Sequence, residues 1–195
     1  VALYGGAFDP IHNGHLATIA ALLASAQVDK VVVVPSGDRP DKKVNVRAVD
    51  RLEMVRSAVD EAFGTDPRIE VSDVHALAKV GYGTIDLVDH FSKDTNLEIF
   101  VVIGHELLSD LPSWKESSRL CAQARFLVAQ RPGSSLSSLP KGVNATLLNA
   151  PYQAGVVVSS TTLRTLLAAG LSCAGLLPPS VVALCRDRGF YSKAS

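Results

Sequence analysis

Apolar residues fall into short continuous runs along the chain rather than into strict alternation. "VALY" at 1–4, "KVVVVP" at 30–35, "RIEVS" at 68–72, "EIFVVIG" at 98–104 and "RFLVAQ" at 125–130 are of strand length, and "ATLLN" at 145–149 is a weaker sixth. Several are rich in β-branched residues, which suits strands buried on both faces of a parallel sheet. Between the runs the period lengthens. "GHLATIAALLASA" at 14–26 is apolar on nearly every side and predicts a well-buried helix. The stretch 46–63 is amphipathic and meets a stop at Gly64. "TIDLVDHFSK" at 84–93 turns Ile85, Leu87 and Val88 toward a core. "SSTTLRTLLAAG" at 159–170 opens on hydroxyl capping residues and closes at Gly170, and "PPSVVALCRDRG" at 178–189 opens on Pro and closes on Gly.

Alternating strands and helices predict an α/β class: a Rossmann-like, doubly wound, mostly parallel sheet with flanking helices and a small C-terminal helical segment from 159 onward. A length of 195 residues fits a single domain spanning 1–195. "RPGSSLSSLPKG" at 131–142 reads as a surface loop inside that domain rather than a linker.

Composition narrows the class of function. With 47% hydrophobic and 19% charged residues the chain can bury a core, which argues against disorder. Lys+Arg and Asp+Glu both number 19, so no global basic field exists to hold long nucleic acid. Any phosphate recognition is therefore local. Cys121, Cys173 and Cys185 are odd in number and contain no C-x-x-C pair, which argues against a zinc ribbon or a disulfide framework and suits a reduced, cytoplasmic setting. No apolar run reaches membrane-spanning length, and the start at Val1 shows no signal peptide; native residues preceding Val1 are expected.

In open parallel sheets ligands sit beyond the carboxyl ends of the strands. The first loop so placed is "YGGAFDPIHNGHL", 4–16. Gly5 and Gly6 permit close approach of a ligand to the chain, and the helix beginning near Gly14 offers N–H groups and a dipole that favour an anion. His12 and His15 lie three apart at this junction and can each donate to phosphate oxygens. The plain alternative is a Gly-rich turn whose histidines cap the helix. The second loop is "VVVSSTTLR", 156–164, where Ser159, Ser160 and Thr161 open a helix and Arg164 reaches back one turn. Alone it could be an ordinary cap with a solvated Arg. Two anion-favouring helix starts in one chain point to a polyphosphate ligand.

"GGAFDPIHNGH" together with "VSSTTLR" resembles the nucleotidylyltransferase superfamily, which pairs an H-x-G-H loop with a late S-S/T-x-x-R motif. Within it the chain most resembles the bacterial nicotinate mononucleotide adenylyltransferases over nearly its whole length, through "VVIGHELLSDLPSW", "FLVAQRPG" and "LSCAGLLPPSVVALCRDRGFY". The resemblance implies transfer of the adenylyl group of ATP to the phosphate of a pyridine mononucleotide, with pyrophosphate leaving. It also implies His12, His15 and Arg164 in catalysis, Gly6, Ala7, Phe8, Gly104, Glu106, Ser159, Ser160 and Thr161 at ATP, and Lys42, Lys43, Thr84, Trp114 and Arg131 at the mononucleotide. Mg²⁺ is implied as the ion accompanying ATP, with few direct protein ligands. The implied partners are these small molecules, with no nucleic acid, no membrane and room for a homo-oligomer.

The chain departs from the family in "PSGDRPDKK", 35–43, where Asp41 stands in place of a His, at Glu106 in place of Asp, and at Gly83 in place of Tyr. Trp114 reads equally as a core residue, and 35–43 as a charged loop. His75 and His90 read as packing or surface residues, while His105 lies beside the site. Two other readings accompany the first: adenylyl or cytidylyl transfer to another phosphate acceptor such as phosphopantetheine, and a nucleotide-binding regulatory protein without turnover.

Overall fold

The computed structural model describes residues 1–38, 45–79, 81, 83–93, 97–130, 142–149 and 158–192. Among these residues six strands form one sheet: β1 (Ala2–Gly6), β2 (Val31–Pro35), β3 (Ile69–Val71), β4 (Phe100–Gly104), β5 (Arg125–Ala129) and β6 (Ala145–Leu147). Every pairing is parallel, and the strand order is β3-β2-β1-β4-β5-β6. The helices are α1 (Asn13–Ala24), α2 (Ala48–Phe63), α3 (Thr84–Phe91), α4 (Ser117–Gln123), α5 (Ser160–Ala168) and α6 (Pro179–Asp187). The doubly wound α/β expectation therefore holds, with each predicted strand and helix at its place.

The strands alternate side chains between two cores, as a period of two requires. Ala2, Val31, Val33, Val102 and Leu127 point to one face, where they meet Ile19 and Leu22 of α1, Met54, Val55 and Ala58 of α2, Leu163 of α5 and Val181 of α6. Leu3, Val32, Val34, Val101, Ile103, Phe126 and Val128 point to the other, against Ile85 and Val88 of α3 and Leu120 of α4. Burial on both faces explains why the runs read as continuously apolar. From Asn13 to Leu23 no residue of α1 is exposed, in keeping with its apolar circumference.

Helix α4 went unpredicted, as did two 3₁₀ turns at His105–Leu107 and Leu111–Ser113. The reason is physical: α4 buries only Leu120, so no apolar period marks it. The last helix, α6, sits on α2. Arg188 pairs with Asp50 and Glu53 at 3.0 and 2.7 Å, and Glu61 accepts from the Ser180 amide at the start of α6.

The chain runs outward from β1 to β3, then returns to place β4 against the other side of β1. The order reverses there, so a crevice opens beyond the carboxyl ends of β1 and β4.

Candidate active site

That crevice is a cleft of about 1070 Å³. It joins the loop after β1 to the ends of β4 and β5 and the start of α3. At one end stand Gly6, Ala7, Phe8, His12 and His15; at others Gly104 and Glu106, and Thr84 with Trp114. Nine of the expected positions thus share one cavity.

His12 is the N-cap of α1, and the two histidines brace each other. The His15 amide donates to His12 Nδ1 at 3.3 Å, and the His12 amide donates to His15 Nδ1 at 3.2 Å. The rings stack with centroids 3.6 Å apart and planes 16° from parallel. This is a capping box built from imidazoles. Because both Nδ1 atoms accept, each neutral ring carries its proton on Nε2, the nitrogen that donates. The capping alternative and the anion alternative are therefore one arrangement: capping fixes the tautomer that a phosphate oxygen needs.

The loop is shaped to hold these rings. Phe8 has φ 47, a left-handed backbone uncommon for a bulky residue. Its buried ring meets His15 edge-on at 4.9 Å and Tyr4 at 5.6 Å. It also covers Gly6, where an added Cβ would lie 2.9 Å from the ring. A Cβ at Gly14 would stand 3.1 Å from the His12 ring and 3.2 Å from Val158, so the glycine between the histidines lets α1 and the approach to α5 come together.

A second group of bonds ties this loop to the C-terminal segment. Ser160 donates to the Pro10 carbonyl at 2.9 Å, and Arg164 Nη1 to the Asp9 carbonyl at 2.7 Å. The buried Asp9 carboxylate accepts from Tyr191 at 2.7 Å and from the Asn45 amide and side chain at 3.0 and 3.1 Å. Burial and the adjoining Asp9 carboxylate push the Tyr191 phenol above its ordinary range.

The start of α5 stands beside the cleft rather than in its wall. Val158 lines the cleft, while Thr161 and Arg164 line a separate shallow depression. Arg164 Nη2 also donates to Thr161 at 3.2 Å, and Ser159 caps α5 through the Thr162 amide at 3.1 Å. Lys42, Lys43 and Arg131, with the departure at Asp41, lie outside the described residues.

Glu106 follows β4 and folds its carboxylate back over Gly104, where an added Cβ would lie 2.7 Å from Oε2. His105 Nδ1 is 3.2 Å from the same oxygen. His75 is buried in the cleft wall, and His90 packs edge-on against Phe91 outside it.

Arg51 and the Asp86–Lys115 pair escaped the sequence reading. Arg51 is fully buried on α2 and donates to the carbonyls of Val46, Ala7 and Gly37, to Ser36 and to Asp38. It so binds the loops that follow β1 and β2 to each other. A signal existed: Arg51 shares the helix face of Ala48, Leu52, Val55 and Ala58, where a charge requires buried partners. Asp86 accepts from the Gly83 amide at 2.7 Å and from Lys115 at 2.7 and 3.0 Å. Burial pushes the Asp86 carboxyl up, but Lys115 and the Gly83 amide outweigh it and hold the group below its ordinary value.

With this geometry in place, the chain matches known proteins over its length. The model of the cytidylyltransferase-like family matches residues 3–166. A probable nicotinate-nucleotide adenylyltransferase of Neisseria meningitidis serogroup B is 33% identical over 206 residues, covering 99% of this chain and 98% of its own. One of Neisseria gonorrhoeae, with the same name, is 32% identical over 202 residues, with 99% and 98% covered. The structure of Plasmodium falciparum nicotinic acid mononucleotide adenylyltransferase complexed with NaAD shares the fold at a TM-score of 0.81 and 20% identity, covering 97% of this chain and 96% of its own.

Proposed function

Since the chain belongs to the cytidylyltransferase-like family, and within it to the nicotinate-nucleotide adenylyltransferases, we propose that it transfers the adenylyl group of ATP to nicotinate mononucleotide. The products are the dinucleotide and pyrophosphate, a step of NAD biosynthesis. The observation that carries the reading is the stacked His12–His15 pair in the same cleft as Thr84 and Trp114, so that one cavity reaches from phosphate donors to an aromatic end.

The nucleophile is the 5′-phosphate of the mononucleotide. Its oxygen attacks the α-phosphorus of ATP, a new P–O bond forms, and the bond from the α-phosphorus to the bridging oxygen breaks. The attacking group is already an anion, so no general base is required. The work of the chain is positioning and stabilisation of charge. His12 and His15 donate from Nε2 to triphosphate oxygens as negative charge grows there. The backbone of Gly6, Ala7 and Phe8 meets the substrates beside them. Glu106 accepts from ribose hydroxyls. Trp114 stacks on the pyridine ring, and Thr84 bonds its substituent. On the family's pattern Ser159, Ser160 and Thr161, at the start of α5 beside the cleft, serve the leaving phosphates where these extend beyond it. Arg164 holds the Asp9 carbonyl, and so the histidine loop, with one arm of its fork and serves these phosphates with its remaining donors. On the family's pattern Lys42, Lys43 and Arg131 complete the mononucleotide contacts.

Nucleotidyltransferases of this kind use a divalent metal with ATP. Glu106 and Asp110 line the cleft, and among the described residues no three His, Cys, Asp or Glu side chains gather as a metal cage. That donor set fits Mg²⁺ arriving on phosphate oxygens, where it neutralises charge when bound. The test is an acceptor panel with ATP and Mg²⁺, resolved by mass spectrometry: nicotinate mononucleotide should give the dinucleotide, and phosphopantetheine no product. A product from phosphopantetheine alone would overturn the assignment.

A further inference from the structure

We propose that Lys115 is a specificity-determining residue, whose ammonium makes the cleft favour a pyridine mononucleotide bearing a carboxylate over its carboxamide counterpart. The proposal rests on the adenylyl-transfer reading and deepens it. Lys115 follows Trp114 directly and lines the cleft with Trp114 and Thr84. Its stem lies across Gly83: a Cβ added there would be 2.9 Å from Lys115 Cδ and 3.2 Å from its Cβ. The absence of a side chain at Gly83 gives the lysine its path.

The head of Lys115 sits on Asp86, and counting donors and acceptors there shows what the pair presents. Asp86 accepts from Lys115 through both oxygens and from the Gly83 amide. A carboxylate offers about four acceptor sites, and among the described residues three are in use here. The ammonium has three donors, and at most two rest on Asp86. The pair therefore offers a surplus donor, and its outer member is the lysine: its side chain is 52% exposed against 19% for Asp86. A carboxylate answers that with a full charge and two acceptor oxygens. A carboxamide brings one acceptor and two N–H donors of its own, for which Asp86 has little capacity left. Charge-assisted bonds exceed neutral ones in strength, though solvent at a half-exposed site reduces the difference. About tenfold discrimination follows from these magnitudes.

The experiment compares wild type with Lys115→Met, which keeps the stem over Gly83 and removes the charge, and with Lys115→Arg, which restores it. Both mononucleotides are titrated by calorimetry, and kcat/KM is measured for each with ATP and Mg²⁺. Lys115→Met should lower the acid-to-amide ratio about tenfold in Kd and, through KM, in kcat/KM. Lys115→Arg should recover most of the ratio. An unchanged ratio, or equal losses for both forms, overturns the proposal. Calorimetry decides this without turnover, whereas a wild type that binds the acid form but releases no pyrophosphate sinks the adenylyl-transfer reading instead.

Discussion

His15 has two tasks that substitution separates. Its Nδ1 accepts the His12 amide, a capping bond whose loss costs about 1 kcal/mol. Its Nε2 donates to substrate, and losing a main oxyanion donor costs on the order of 10² in kcat. His15→Ala should therefore unfold at only slightly lower urea yet turn over at least about a hundredfold more slowly; a kcat within threefold of wild type removes the donor role. Tyr191→Phe makes the opposite case. It takes one donor from the buried Asp9 carboxylate and should cost about 1–3 kcal/mol of stability in urea titration. The two residues also differ in legibility. His12 and His15 stand three apart in one short stretch, so their shared face could be read. Tyr191 lies 182 positions from Asp9, and nothing local announces that bond.

Two elements depend on bonds that the apolar pattern does not display. Helix α2 carries Arg51 at its buried face, with acceptors from the loops after β1 and β2. Arg51→Met takes the side-chain donor from the carbonyls of Val46, Ala7 and Gly37, while the half-exposed Asp38 carboxylate keeps the Ala48 amide. The expected loss is about 1–3 kcal/mol by chemical denaturation. The position of α2 was plain from its period, but its charged core residue became intelligible only with the loops folded around it. Helix α3 is capped by Asp86, whose folded pKa lies below its ordinary value. The sign follows: the stabilisation is complete above the unfolded carboxyl pKa of about 3.9 and is lost as pH falls through the folded value. Asp86→Asn should thus unfold more readily than wild type at pH 7. The gap should close on acidification toward pH 2; a gap constant with pH contradicts the assignment of cap energy to the ionised group.

At the scale of the molecule, the architecture was legible because continuous β-branched runs and intervening helical periods admit few alternatives to a covered parallel sheet. The cleft followed from topology, since reversal of strand order beside β1 opens the crevice where the histidine loop stands. What the sequence did not reveal is that the start of α5 braces the histidine loop from outside the cleft. Burial also gives a probe of the whole fold. It pushes the Cys185 thiol up to about 12, and Cys173 is buried as well. Iodoacetamide should label Cys121 in the native protein and the other two only on unfolding, as read by mass spectrometry. The central claim is tested most directly by pyrophosphate release from the purified protein with ATP, Mg²⁺ and nicotinate mononucleotide. The account predicts one pyrophosphate per dinucleotide formed, dependent on the mononucleotide and nearly abolished in His15→Ala. No release with either the nicotinate or the nicotinamide form would contradict it.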